Sequence, residues 1–483
     1  MTANPKGRGP GLGVSTAYGL GAVSAGVLTQ SLTVLALLFY NQVVGLSAAA
    51  VGLALLISLV FDACWDPAIG LWSDNIRSRL GRRHPFMYVS ILPAGFFFWL
   101  LWIPPESLSE SGAFAWLVAT LLAARFFSSL NEVPSTALAP ELAPDYHTRT
   151  GLFGLRYFWG AMSATGIVIM AFQIFLSSRN GGVTNREGYA QFGLFGAVLI
   201  TLSLLISCLG TQRAAAGFAP PPQERVRFDT LLKEIRLAAT NRNFLALMIA
   251  SLFGAVSSGL TNSLTTYFNL YLWGLSTDQL SLLAIPGLIA SVLSVILAPV
   301  VTRIWGKKRV SLALYLLTAV VGTMPMALRL IGILPGNDWP WLVPLLFVET
   351  TVAYTTGLML LIVLTSMLAD VVEDNAVKSG RRSEGLFFSI NGLLAKSVLG
   401  IGALLAGLML GFVNFPRHAI PGQVSADIVH ALGYLYLPTA LTLSALSILA
   451  VSKFRIDQAT HEQNLDRLRS LTAAGEGVGA PPP

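Results

Sequence analysis

Runs of about 20 or more mostly apolar residues recur along the whole chain, and no other feature limits its fold so strongly. At 1.5 Å per residue, a helix of that length crosses a hydrocarbon layer of roughly 30 Å. Twelve spans are expected, at residues 17–42, 48–72, 86–104, 113–138, 150–176, 191–209, 243–273, 279–301, 310–333, 341–368, 386–411 and 430–452. Of 483 residues, 54% are hydrophobic and only 11% are charged; soluble domains carry roughly a quarter charged residues. Because hydrocarbon satisfies no backbone amide or carbonyl, the segments must be helices, and the expected class is an all-α polytopic membrane protein.

A net charge of +7 raises the question of nucleic acid, but the basic residues are distributed by membrane side instead of forming one face. The loop after the second span holds Arg77, Arg79, Arg82 and Arg83, and the loop after the eighth holds Arg303, Lys307, Lys308 and Arg309. The middle loop adds six more between Arg213 and Arg242, while the alternate loops offer little beyond Arg179, Arg186 and Arg417. The positive-inside rule then puts both termini in the cytoplasm. No nucleic-acid partner is expected, and the chain is read as a monomer surrounded by membrane lipid. Cys64 and Cys208 both fall inside spans, which leaves no disulfide framework or zinc site. The five histidines lie in loops or at span ends, and none is set beside a serine or cysteine nucleophile. Enzyme chemistry and a resident cofactor are therefore not expected.

A proline-rich, charged stretch, "TQRAAAGFAPPPQERVRFDTLLKEIRLAATNRN", separates the spans six from six and reads as a linker ending in a short amphipathic helix. The expected organisation is a bundle over 1–209, a cytoplasmic linker over 210–242, a second bundle over 243–452, and a disordered tail over 453–483. Each half carries a basic turn after its second span, as a duplicated six-helix unit would.

Charges inside the spans are few: Asp62, Asp66, Arg125, Glu132, Arg156, Arg329, Glu349 and Lys396. Each costs roughly 2.5–3.5 kcal/mol at mid-bilayer even on the lenient insertion scale, so each needs a partner or a function. Counting inward at about 1.5 Å per residue puts Asp66, Glu132 and Arg156 near 10 Å depth, and Asp62 and Lys396 near 15 Å. Asp62 and Asp66 are one helical turn apart, and two carboxylates about 6 Å apart repel by roughly 2.8 kcal/mol at an effective dielectric near 20. A proton, a sodium ion or the Lys396 ammonium would relieve that repulsion, and exchange among these alternatives is the switch a coupled transporter requires. Arg125 and Glu132, seven apart on one helix face, read as a possible structural pair. Arg329 and Glu349 read as interfacial residues outside the site.

The stretches "FDACWDPAIGLWSDNIRSRLGRRHPF", "NEVPSTALAPELAPDYHTRTGLFGLRYF", "SMLADVVEDNAVKSGRRSEG" and "KSVLGIGALLAG" resemble, in order and spacing, the glycoside-pentoside-hexuronide:cation symporters, the melibiose permease-like branch of the major facilitator superfamily. The resemblance covers essentially the whole chain. It implies a major facilitator fold and symport of a glycoside or oligosaccharide with a proton or sodium ion. Asp62 and Asp66 would bind the coupling cation, with Ser129 and Glu132 beside them; as metal ligands, the two aspartates would serve only if the ion is sodium. Glu132, Arg156 and Lys396 would join that site to the substrate. Asp74, Arg77, Arg82 and Arg83, with Asp370, Glu373 and Arg381, would form a cytoplasmic gate.

Two departures bear on the ligands. Trp65 stands between the aspartates, where a sodium-coupled relative has an oxygen-bearing asparagine. Gly26, Ala25 and Thr136 stand where galactoside-binding members carry an aspartate, a lysine and a tryptophan. A pocket without charge on the first helix would also suit an amphiphile such as a lysolipid.

Overall fold

A computed structural model describes residues 10–76, 78, 80–143, 146–215, 241–379 and 384–456. All secondary structure among them is helical. We number the long helices α1 (Leu12–Ala36), α2 (Ala48–Asn75), α3 (His84–Leu101), α4 (Glu110–Ala137), α5 (Tyr146–Met170), α6 (Arg186–Ala215), α7 (Arg242–Tyr267), α8 (Ile285–Trp305), α9 (Lys307–Leu330), α10 (Leu342–Ser379), α11 (Glu384–Phe412) and α12 (Ala426–Ser452). Among the described residues, eleven are long and apolar enough to cross a membrane, and the remaining expected span, 386–411, falls in α11, whose second half Val398–Phe412 is apolar. The expected linker helix lies outside the described residues, as does the expected tail from 457 on; at the start of that tail, Phe454 and Ile456 are not disordered but buried in the second unit's core.

Helix α10 departs most from the sequence expectation, running to Ser379 where the apolar run was expected to end at 368. Hydropathy marks where a helix leaves hydrocarbon, not where its hydrogen bonds stop. At 38 residues, α10 is about 57 Å long and carries Asp370 beyond the apolar stretch.

The chain forms two compact units. The first contains the described residues of 1–221, 262–288 and 403–430; the second contains those of 222–261, 289–402 and 431–483. In the first unit, two segments far apart in sequence repeat one local design. Phe39–Ser47 and Phe268–Ser276 share the pattern F-x5-G-L-S. Each ends a long helix in a π turn, closed by Val44 N–H to Phe39 O (3.0 Å) in one and Trp273 N–H to Phe268 O (2.9 Å) in the other. Gly45 (φ +87°) and Gly274 (φ +61°) then reverse the chain in the left-handed region that glycine enters freely. Ser47 and Ser276 cap the following helices by accepting the N–H of the third residue on, Ala50 and Gln279.

These two ends are tied within the unit. The Tyr267 hydroxyl donates to Asn41 Oδ1 at 2.9 Å, and the Ala419 N–H donates to Gln42 Oε1 at 2.6 Å. The second unit has its own core, built from Phe244, Leu314, Tyr315, Met367, Val371 and Phe454 among others.

The two basic turns also match. Gly81 (φ +89°) precedes Arg82-Arg83, and Gly306 (φ +75°) precedes Lys307-Lys308. Arg82 pairs with Glu141, and Arg83 reaches the same carboxylate at 3.0 Å. In the second unit, Lys307 Nζ holds both oxygens of Asp370 at 2.6 and 2.8 Å.

Candidate functional site

The buried charges of the first unit gather on α2, α4 and α5. On α4, Arg125, Ser129, Glu132 and Thr136 follow at spacings of four, three and four, which puts them on one helical stripe. Asp62 and Asp66 share a face of α2, which packs against α4 through Trp65, whose ring lies 5.4 Å from that of Phe126 and 5.7 Å from that of Phe61. Trp65 thus contributes aromatic packing between the two helices and no oxygen ligand. Pro67 has no N–H to offer the Ala63 carbonyl, so the helix ladder is interrupted between the aspartates and the next turn.

Two ion pairs cross between helices. Arg125 Nη1 lies 2.7 Å from Asp62 Oδ2, with the two side chains 11% and 10% exposed. Arg156 Nη2 lies 2.6 Å from Glu132 Oε2, and Arg156 Nη1 donates to Ser135 Oγ at 2.8 Å. The Arg156 guanidinium also sits 5.2 Å above the ring of Tyr18, whose hydroxyl donates to the Thr136 carbonyl at 3.3 Å. A planar fork bridging two partners while stacked on a ring is a task for arginine, not lysine. Thr136 Oγ1 donates to Glu132 Oε1 at 3.4 Å, completing a network over α1, α4 and α5. Asp66 is half-buried on the same face of α2 as Asp62, and Ser129 is half-buried between Arg125 and Glu132.

The intrahelical pairing of Arg125 with Glu132 does not form, because each finds an opposite charge on a neighbouring helix at hydrogen-bond distance. Seven residues along a helix is about 10 Å, too far for direct contact at that distance. Arg329 donates to the Pro335 carbonyl and to Asn337 Oδ1 (2.6 Å) in the loop after α9. Lys396 belongs to α11 in the second unit, but its side chain, with those of Asp74, Arg77 and Arg381, lies outside the described residues. Of the other gate residues, Arg82 and Arg83 share Glu141, Asp370 meets Lys307, and Glu373 is half-buried near the end of α10.

Sequence reasoning missed Tyr18, Ser135, Glu141 and the pairing role of Lys307. Glu141 had a signal, since it stands four residues after the end of α4 in the stretch that resembles the symporters; Tyr18 had none beyond its place in an apolar run. The structure also accounts for Gly26. A Cβ there would lie 2.3 Å from Ser163 Oγ and 2.4 Å from the Gly160 carbonyl, so α5 occupies the space an aspartate would need.

Known proteins resemble the chain over nearly its full length. A putative glycoside/cation symporter of Escherichia coli (strain K12) is 27% identical, covering 95% of this chain and 96% of its own. The isoprimeverose transporter of Lactiplantibacillus pentosus is 25% identical, covering 87% and 84%. Among solved structures, a bacterial homologue of the lysosomal transporter Spinster in an inward-facing conformation superposes with a TM-score of 0.63 at 15% identity, covering 94% of this chain and 97% of that one. The nucleoside transporter NupG gives 0.61 at 16% identity, covering 92% and 99%. The profile of the MFS/sugar transport proteins matches residues 17–458, and the chain belongs to that family.

Proposed function

We propose that the chain is a secondary active transporter that carries a glycoside or oligosaccharide together with a proton or a sodium ion by alternating access. The observation that carries this reading is the pair of interhelical ion pairs inside apolar helices of one unit: Asp62–Arg125, buried on both sides and with Asp66 a turn from Asp62, and Glu132–Arg156, with Arg156 buried and Glu132 partly exposed. Ionisable groups at such depth are expensive in hydrocarbon and belong to solute or ion pathways far more often than to scaffolding. Membership of a sugar-transport family supports the same conclusion.

In this reading, Asp62 and Asp66 hold the travelling cation, aided by Ser129 and Glu132. Arrival of the cation neutralises negative charge beside Arg125 and frees the Glu132–Arg156 network to rearrange around substrate. Lys396 is the second-bundle partner of that exchange. The matching pairs Arg82/Arg83–Glu141 and Lys307–Asp370, with Asp74, Arg77, Glu373 and Arg381, gate the basic, cytoplasmic side. The working units are six-helix bundles over 1–209 and 243–452, with both termini cytoplasmic in the bacterial inner membrane. One charge crossing about 100 mV is worth roughly 2.3 kcal/mol, about fiftyfold in concentration, so a single co-transported cation supports useful accumulation.

The test is addition of a panel of glycosides to energised vesicles while external pH is followed, with and without sodium. A substrate-specific alkalinisation independent of sodium identifies proton symport; sodium-dependent uptake without it identifies sodium symport. Uptake of a lysolipid in place of every sugar would replace the proposed substrate class.

A further inference from the structure

The second unit carries a groove of about 390 Å³ between α8, α9 and α10 that the transport reading does not use. Along α8, its wall is the stripe Leu293, Leu297, Val301 and Trp305, every fourth residue, which runs about 18 Å down the helix. On α9, it continues through Ala313 and Leu317. Thr351, Thr355 and Thr356 of α10 close the other side without making it polar. Their hydroxyls donate to the carbonyls of Phe347, Thr351 and Val352 at 2.7, 2.7 and 2.9 Å, leaving methyl groups toward the groove. The cleft is therefore elongated and apolar, the shape of a hydrocarbon chain rather than a sugar.

One end of the groove is not apolar. Trp305, 60% exposed, stands there as an interfacial tryptophan does, with an apolar body and a polar N–H. Arg309 lies one helical turn before Ala313 on the same stripe of α9, and Arg303 and Lys308 flank the turn between the helices. Among the described residues none of these three cations forms an ion pair, whereas their neighbour Lys307 is held by Asp370. Arg309, on the groove's own stripe, and the further positive charge of Arg303 and Lys308 at the adjoining turn complement a negatively charged headgroup at bilayer depth.

We propose that this groove is a binding site for an anionic phospholipid, one acyl chain lying along Leu293–Trp305 and the headgroup phosphate beside Arg309, drawn there also by the positive charge of Arg303 and Lys308 at the turn. The occupant comes from the surrounding bilayer, and its selection rests on charge at the mouth and chain length along α8.

The test uses the purified full chain in detergent, titrated with phosphatidylglycerol or with phosphatidylcholine of the same acyl chains and read by native mass spectrometry. Phosphatidylglycerol is expected to bind in preference, with affinity falling about fivefold for each charge removed by Arg303→Gln, Lys308→Gln or Arg309→Gln. Ala313→Trp, which fills the groove and leaves the basic end intact, should also lose the bound lipid while eluting as a monodisperse protein. Soluble glycerol phosphate should not displace the lipid. Equal binding of the two lipids, or an unchanged affinity in the triple glutamine variant, overturns the proposal. Full displacement by glycerol phosphate does so as well, because it would reduce the site to a surface anion contact.

Discussion

Asp62→Asn separates structure from coupling, because it strands Arg125. The Arg125 guanidinium is 11% exposed and meets Asp62 at 2.7 Å, and a guanidinium cannot shed its charge. With charge centres about 4 Å apart and an effective dielectric near 20, the attraction lost is roughly 4 kcal/mol. This agrees with the roughly 3–5 kcal/mol typical of breaking a buried pair from one side. Arg125→Gln breaks the same pair from the other side. The double variant Asp62→Asn/Arg125→Gln removes both charges and should recover most of the loss, leaving two neutral amides of nearly native volume. The assay is thermal unfolding of the detergent-solubilised protein for native, single and double variants, paired with uphill uptake and with substrate exchange at equal concentrations. If Asp62 holds the cation, the double variant is stable and exchanges substrate but does not accumulate it. A single Asp62→Asn variant as stable as the native protein would refute the energetics, and uphill accumulation by the double variant would refute the coupling role.

Three further outcomes are expected. Asp66→Asn should abolish cation-driven accumulation while preserving exchange, and retention of full accumulation in vesicles would remove Asp66 from the cation site. Arg156→Lys keeps the charge but loses simultaneous contact with Glu132 and Ser135, so transport KM should rise by about 10- to 100-fold, consistent with about 1.5–3 kcal/mol for charged hydrogen bonds; an unchanged KM in uptake assays would contradict this. Gly26→Leu drives side-chain atoms into Ser163 and Gly160 and should destabilise the protein by about 1–3 kcal/mol or more, whereas Gly151→Ala, where a Cβ meets nothing within 4 Å, should leave the unfolding temperature close to native.

The site was legible in unequal parts. A charge inside an apolar run stands out against its neighbours, so Asp62, Asp66, Glu132 and Arg156 could be named without coordinates, and spacing alone put the two aspartates on one face. The partners could not be named. Arg125 looked toward Glu132 along its own helix, yet its carboxylate is Asp62, 63 residues away in sequence. The sequence left Lys307 and Glu141 without partners; the turns at Gly81 and Gly306 bring each basic run against a carboxylate. The repeat of Phe39–Ser47 in Phe268–Ser276 is spelled in the sequence, but only its shared hydrogen bonds and left-handed glycines distinguish it from a chance likeness.

Run length and composition by themselves determined that this chain is a helical membrane protein, because hydrocarbon accepts no unpaired backbone and each long run is enough to cross it. They also picked out the charges that have a cost to explain. Tertiary structure alone decided which charges meet, how Tyr18 came to lie under Arg156, and why no side chain fits at Gly26. The rotation of each helix about its axis and its distance from its neighbours settle these matters, and both follow from packing between segments rather than from the hydropathy of any one of them.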